Sequence, residues 1–122
     1  MSGGRFDYQQ WQINEIAESI KQVIVQNNVE VPPREHERWD YDSNGELYDW
    51  AKYYYCFSDE TIEKFKEAYK KLKEAYVYAQ RVDWLLSGDD GEETFKKRLK
   101  EDLEATEKNF KNEKWLYKPE ED

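Results

Sequence analysis

The sequence predicts an all-α chain, a three-helix antiparallel bundle with an aromatic-rich irregular segment between its first and second helices. Three observations carry this expectation. Apolar residues recur at helical spacing along three separate stretches. The segment WLLSGDDGEETF, Trp84 to Phe95, reads as the end of one helix, a turn and the start of another. Between the first two stretches the periodicity is broken at Pro32 and Pro33 and gives way to a run of aromatics. With 122 residues, one domain spanning 1–122 is expected.

The first helix is expected over about residues 8–27, after a flexible lead of Ser2, Gly3 and Gly4. Asp7 stands as its N-cap with Gln10 as capping-box partner, and Phe6 and Trp11 are spaced for a hydrophobic staple. Ile13, Ile16, Ile20, Val23 and Ile24 make the apolar stripe. Asn27 and Asn28 tolerate the left-handed backbone that ends a helix.

Residues 28–58 form the irregular segment, acidic and rich in rings: Trp39, Tyr41, Tyr48, Trp50, Tyr53, Tyr54, Tyr55 and Phe57. So much aromatic surface is expected to pack over the helices as core and lid, with a short helix between Leu47 and Cys56. Ser58 then caps a second helix over about 59–87, whose stripe is Ile62, Phe65, Tyr69, Leu72, Tyr76, Ala79, Val82 and Leu86.

At the corner, Gly88 is expected in the left-handed conformation that closes the second helix. Asp90 is expected as N-cap of the third helix, about 91–117, with Glu93 completing a capping box. Capping chemistry accounts for the acids Asp89, Asp90, Glu92 and Glu93 without a cation. Phe95, Leu99, Leu103, Thr106 and Phe110 stripe this helix, Trp115, Leu116 and Tyr117 anchor its end, and residues 118–122 are expected to fray.

The formal charge of −9 argues against direct binding to nucleic acid or to an anionic membrane. The single cysteine, Cys56, leaves no internal disulfide. No signal peptide, membrane-length apolar run or myristoylation site is found, and the expected location is the cytoplasm.

No catalytic constellation stands out, so an enzyme is not expected. His36, the only histidine, lacks the second histidine of a zinc-protease motif and is expected at the surface. Asp40, Asp42, Asn44 and Gly45 occupy positions 1, 3, 5 and 6 of a calcium-loop pattern, but position 12 holds Ala51 where a bidentate glutamate belongs. Turn chemistry around Asn44-Gly45 explains the same residues, so calcium is a weak candidate and no cofactor is expected.

The opening SGGRFDYQQWQINEIAESI and the later AQRVDWLLSGDDGEETFKKRLKEDL resemble a group of small proteins of bacteria, prophages and phages. That group opens with Ser-Gly-Gly-x-aromatic-Asp/Asn-Tyr and carries Trp-Leu-x-Ser-Gly-Asp-Asp-Gly-Glu-Glu. The matching positions here are Ser2, Gly3, Gly4, Phe6, Asp7 and Tyr8, then Trp84, Ser87, Gly88, Asp89, Asp90 and Gly91. The aromatic segment lies outside the resemblance. What it implies is a phage or mobile-element context, in a bacterial host cytoplasm, without a particular activity.

Small helical phage proteins without catalytic residues suggest, by analogy, a counter-defence factor. The leading expectation is a protein that sequesters a small nucleotide-type immune signal, in a pocket made by a homo-oligomer. Tyr8, Trp11 or Trp84 would stack on the base, while Arg5 and Arg81 would meet phosphate. The alternative is an acidic inhibitor of a host defence protein, a nucleic-acid mimic of anti-CRISPR or anti-restriction type. It would use Asp40, Asp42, Glu46, Asp49 and Trp50 at the partner surface. A structural or assembly partner is the third expectation.

Overall fold

A computed structural model describes residues 6–118 of the chain and is mostly helical. Residues 2–5, with the expected phosphate ligand Arg5, and the tail from Pro119 lie outside the described residues. Four α-helices follow in order: α1 (Gln10–Gln26), α2 (Asp49–Lys52), α3 (Asp59–Leu86) and α4 (Glu92–Asn112). Two short 3₁₀ turns, Pro33–Glu35 and Arg38–Asp40, precede α2. Among the described residues the extended segments meet only through isolated bridges.

The 28-residue α3 is the spine, roughly 42 Å long at the ordinary helical rise. Both α1 and α4 pack against it, and neither packs comparably against the other. A seam therefore stays open along α3. Because each flanking helix has one main neighbour, its buried stripe is narrow. Ala17, Ile24, Ala51, Ile62 and Tyr69 are the buried apolar residues, whereas Ile16 and Leu86, both expected in the stripes, are largely exposed.

The start of α1 differs from the expected capping box. Asp7 and Tyr8 adopt left-handed backbone, Gln9 occupies the N-cap position, and no side chain caps the helix. Gln10 does not reach back to Asp7, because its amide is engaged by the buried Asp83 of α3. The other end follows expectation: α1 stops at Gln26 and Asn28 is left-handed, with φ of 62°. The Asn27 amide pairs with both backbone groups of Phe57, at 2.8 and 3.0 Å, and so ties the end of α1 to the segment before α3.

Backbone hydrogen bonds from Val31 to Lys52 and from Tyr54 to Val29 lay residues 27–31 beside 52–57. The short helix within this segment is one turn, α2, which buries Ala51. Ahead of it, Asp42 Oδ1 accepts the backbone N–H groups of Asn44 and Glu46, and Gly45 takes a φ of 80°. This is an Asx turn closed by a Tyr41–Leu47 bridge.

Ser58 caps α3 as expected, its hydroxyl accepting from the Thr61 N–H at 3.3 Å. At the far end Gly88 has a φ of 84°, Asp89 N donates to Trp84 O and Gly88 N to Leu85 O. That pair of bonds is a Schellman motif. The expected Asp90–Glu93 capping box is absent: Gly91 is the N-cap of α4 and lacks a side-chain hydrogen bond. Asp90 is instead drawn inward between two arginines, Arg81 at 3.6 Å and Arg98 at 3.7 Å. Ion pairing outcompetes capping here because the carboxylate is 6% exposed and a buried charge requires a partner.

The last helix ends at Asn112, short of the expected 117. Trp115 takes a left-handed φ of 52° and turns its ring edge-on to Tyr69 and Phe110, at 5.3 and 5.9 Å. Glu113 accepts from Lys21 of α1 at 3.1 Å and from the Trp115 N–H at 3.3 Å. Of the expected anchors, Trp115 and Tyr117 make ring contacts while Leu116 is exposed. Burial disfavours ionisation of Glu113, but the bonds from Lys21 and from the Trp115 and Lys114 amides outweigh it and lower its pKa.

Two outcomes follow for stability. An added Cβ at Gly88 meets open space, so Gly88→Ala carries only the left-handed strain and should lower stability by about 1 kcal/mol in denaturant unfolding. Gly91→Ser supplies the missing N-cap acceptor and should raise it by a few tenths of a kcal/mol, roughly the Ser–Gly difference at that position. The Glu113 contribution is present above its ordinary pKa of 4.5 and is lost as pH falls through the lower folded value. Thermal melts of the parent and Glu113→Gln should therefore differ at neutral pH and converge as acidification passes through that lowered value.

Candidate functional site: an aromatic recess between the start of helix α1 and the end of helix α3

Tyr76, Gln80 and Trp84 follow one another at four-residue spacing and so share one face of α3 near its C-terminal end. Opposite them stand Tyr8, held by its left-handed backbone, and Trp11 in the first turn of α1. Together with Gln10 they line an open recess of about 420 Å³. The Trp11 ring meets Tyr76 edge-on at 6.1 Å, yet Trp11 remains 55% exposed and Tyr8 58%. Large rings left this open at one place form a surface suited to stacking.

Beneath the rings lies a polar relay. Asp83, 2% exposed, accepts from the Phe6 N–H with Oδ1 and from Gln10 Nε2 with Oδ2, both at 3.1 Å. Gln10 Nε2 also donates to Gln80 Oε1 at 2.7 Å, and Gln80 Nε2 donates to the Tyr76 hydroxyl at 3.3 Å. A carboxylate only accepts, so Asp83 sets the direction of the whole chain: each amide must turn its nitrogen as observed. The Tyr76 hydroxyl receives a bond and keeps its own proton to donate. Burial raises its pKa against the Gln80 bond, which keeps that proton in place at neutral pH.

One group is left over. Gln10 is 4% exposed, and its Oε1 has no hydrogen-bond partner. An unmade bond at a buried acceptor costs about 1–3 kcal/mol, so such atoms are rare and informative. The recess thus combines aromatic faces with a hydroxyl donor, and one of its lining residues, Gln10, carries a buried unpartnered acceptor.

The expected ligand residues Tyr8, Trp11 and Trp84 are brought together here. Arg81 takes another position. Its guanidinium lies over the Trp84 ring at 4.5 Å, Nε donates to Asp102 at 2.7 Å, and Nη1 faces Asp90. At 12% exposure and between two carboxylates, it steadies the Trp84 ring rather than offering charge to a phosphate.

The acidic set does not form one face. Asp40 accepts from the Glu37 N–H at 2.8 Å and faces His36 at 3.5 Å, and Asp42 is occupied by its Asx turn. Asn44 serves that turn through its backbone. Glu46 and Asp49 point outward, and Trp50 is exposed with Tyr48 stacked on it at 5.7 Å. The His36 ring, expected at the surface, is enclosed by Asp40 and Tyr41 and is only 4% exposed. Among the described residues no group of three or more His, Cys, Asp or Glu is arranged to hold a metal.

Gln10, Tyr76 and Gln80 were not expected at the site. The signal for them was present: a carboxylate at 83 and amides at 10 and 80 interrupt otherwise apolar contact faces, and buried polar groups must find one another. No family model matches the sequence, and no curated protein or solved structure matches it either.

Removing the head of the relay should loosen the recess. Asp83→Ala strands the Phe6 N–H and the Gln10 amide and should lower unfolding stability by about 1–3 kcal/mol, measured by chemical denaturation.

Proposed function

We propose that this chain is a non-catalytic binding protein that sequesters a small nucleotide-type molecule by its base, held among Tyr8, Trp11 and Trp84. The observation that carries the reading is the buried, unpartnered Oε1 of Gln10, a residue that lines the aromatic recess. A nucleobase offers a flat face for the rings, an N–H for Gln10 and an acceptor for the Tyr76 hydroxyl. The helices act in this reading as an open three-helix antiparallel bundle. Gln10 meeting Asp83, and Asn27 meeting Phe57 just before α3, supports opposite directions for α1 and α3. The phage-type context of the resemblance makes a nucleotide immune signal of the host the expected cargo, and the chain a counter-defence factor in the host cytoplasm.

A second reading draws on a different observation. Trp39 and Trp50 are 70% and 66% exposed in an acidic segment, with Glu46 and Asp49 outward. This supports contact with a host defence protein through aromatic anchors and carboxylates. Asp40 and Asp42 would have to leave their turns to join it.

Calorimetric titration with the four ribonucleosides tests the first reading. At least one should bind, and Trp11→Ala should weaken it about tenfold, the worth of one stacked ring. Asp83→Asn reverses the relay, so that Gln10 presents a donor where the acceptor was, and should abolish the same binding. No binding by any nucleoside overturns the reading and sends the search to salt-sensitive capture of a host protein by Trp50.

A further inference from the structure

Resting on that reading, we infer that the phosphate end of the ligand lies not at Arg81 but in the seam beyond Tyr76, against Lys73. The Tyr76 side chain lines the aromatic recess on one side and, on the other, a groove of about 290 Å³ between α1 and α4 that includes Asn14, Lys70, Lys73 and Asn109. The two hollows therefore meet at one ring. Along α3 the residues Trp84, Gln80, Tyr76 and Lys73 fall on a single face at spacings of four, four and three. From Gln80 to Lys73 is seven residues, roughly 10 Å of helix, which matches the distance from a base edge to the phosphate of one nucleotide.

The cations available along this path are not equivalent. Arg81 is held by the Nε bond to Asp102 at 2.7 Å and lies 3.6 Å from the buried Asp90, and moving it would leave that carboxylate to Arg98 alone. Lys70 is held at 2.6 Å by Glu107, on the α4 side of the groove. Lys73 differs: its closest partner is the neutral Asn14 Oδ1 at 2.6 Å, and its one carboxylate, Glu18, lies at 3.4 Å and is half exposed. With its carboxylate half in solvent and 3.4 Å away, that pair is weaker than the 2.6 Å Lys70–Glu107 pair and more readily exchanged. A phosphate would take the Lys73 ammonium from Glu18, while the Asn14 and Asn109 amides supply N–H donors beside it. The groove mixes the polar Asn14, Lys73 and Asn109 with the rings of Tyr69 and Phe110. This placement meets the net charge of −9 locally: the anion takes the Lys73 ammonium from Glu18, and Glu113, which also lines the groove, is engaged by Lys21.

The test is calorimetric titration of the full chain with the ribonucleoside that binds and with its 5′-monophosphate. The monophosphate should bind about tenfold more tightly, the scale of one charge-assisted hydrogen bond. Lys73→Gln should remove that preference and leave nucleoside affinity unchanged, with its fold checked by circular dichroism. Should the variant not fold, the parent's monophosphate preference should fade between low and high salt while nucleoside binding holds. Equal affinity for the two ligands, or a preference that survives Lys73→Gln or high salt, overturns the placement and leaves the base reading standing. Failure of both ligands to bind overturns the base reading itself.

Discussion

The recess and the start of α1 both depend on one buried carboxylate. Asp83 sits on the packed face of α3, where a charge is tolerated only when its oxygens are fully used. It uses them on the chain's own N-terminal segment, taking the Phe6 N–H and the Gln10 amide. The entry to α1 is consequently bent through two left-handed residues instead of following a local capping box. Tyr8 and Trp11 are carried by that bend to the side of α3 that displays Tyr76 and Trp84. The same carboxylate orients every amide behind the rings. A single acceptor thus shapes the wall and sets the hydrogen-bonding polarity of the floor.

A second electrostatic cluster holds the opposite flank. Asp90 and Asp102 take Arg81, Arg98 faces Asp90, and the Arg81 plane covers Trp84. The corner between α3 and α4 is fixed by this cluster together with the Schellman turn at Gly88. Its effect on the site is to neutralise the arginine nearest the rings. Cationic character moves down α3 to the lysines of the seam, since α1 and α4 each pack mainly on α3 and meet through the Lys21–Glu113 pair at the end of α4.

Much of the helical plan was legible. Ser58 as a cap, Gly88 as a left-handed stop and Asn28 as the end of α1 were all readable, because each effect operates within a turn of the residue that causes it. The rings of the recess were also legible as candidates: aromatics at 8, 11 and 84 with no catalytic partners invite a stacking role. Where local rules failed, a distant charge had intervened. Asp7 with Gln10 and Asp90 with Glu93 both fit the capping-box pattern, and in both places a residue of the pair is engaged by a partner far along the chain or across the corner. Arg81 was misplaced for the same reason, since Asp102 is 21 residues away and its approach has no local signature.

By itself, then, the sequence determined the helical class, the Ser58 cap, the stops at Asn28 and Gly88, and the surplus of rings and acid, all properties of neighbours along the chain. Tertiary structure alone decided which polar groups became buried. That choice paired Asp83 with Gln10, withdrew Arg81 and Asp90 into an ion cluster, left Gln10 Oε1 without a partner, and set the half-buried Lys73 against Asn14. The physical reason is that hydrogen bonds and ion pairs gain their weight from burial, and burial is settled only when helices distant in sequence meet.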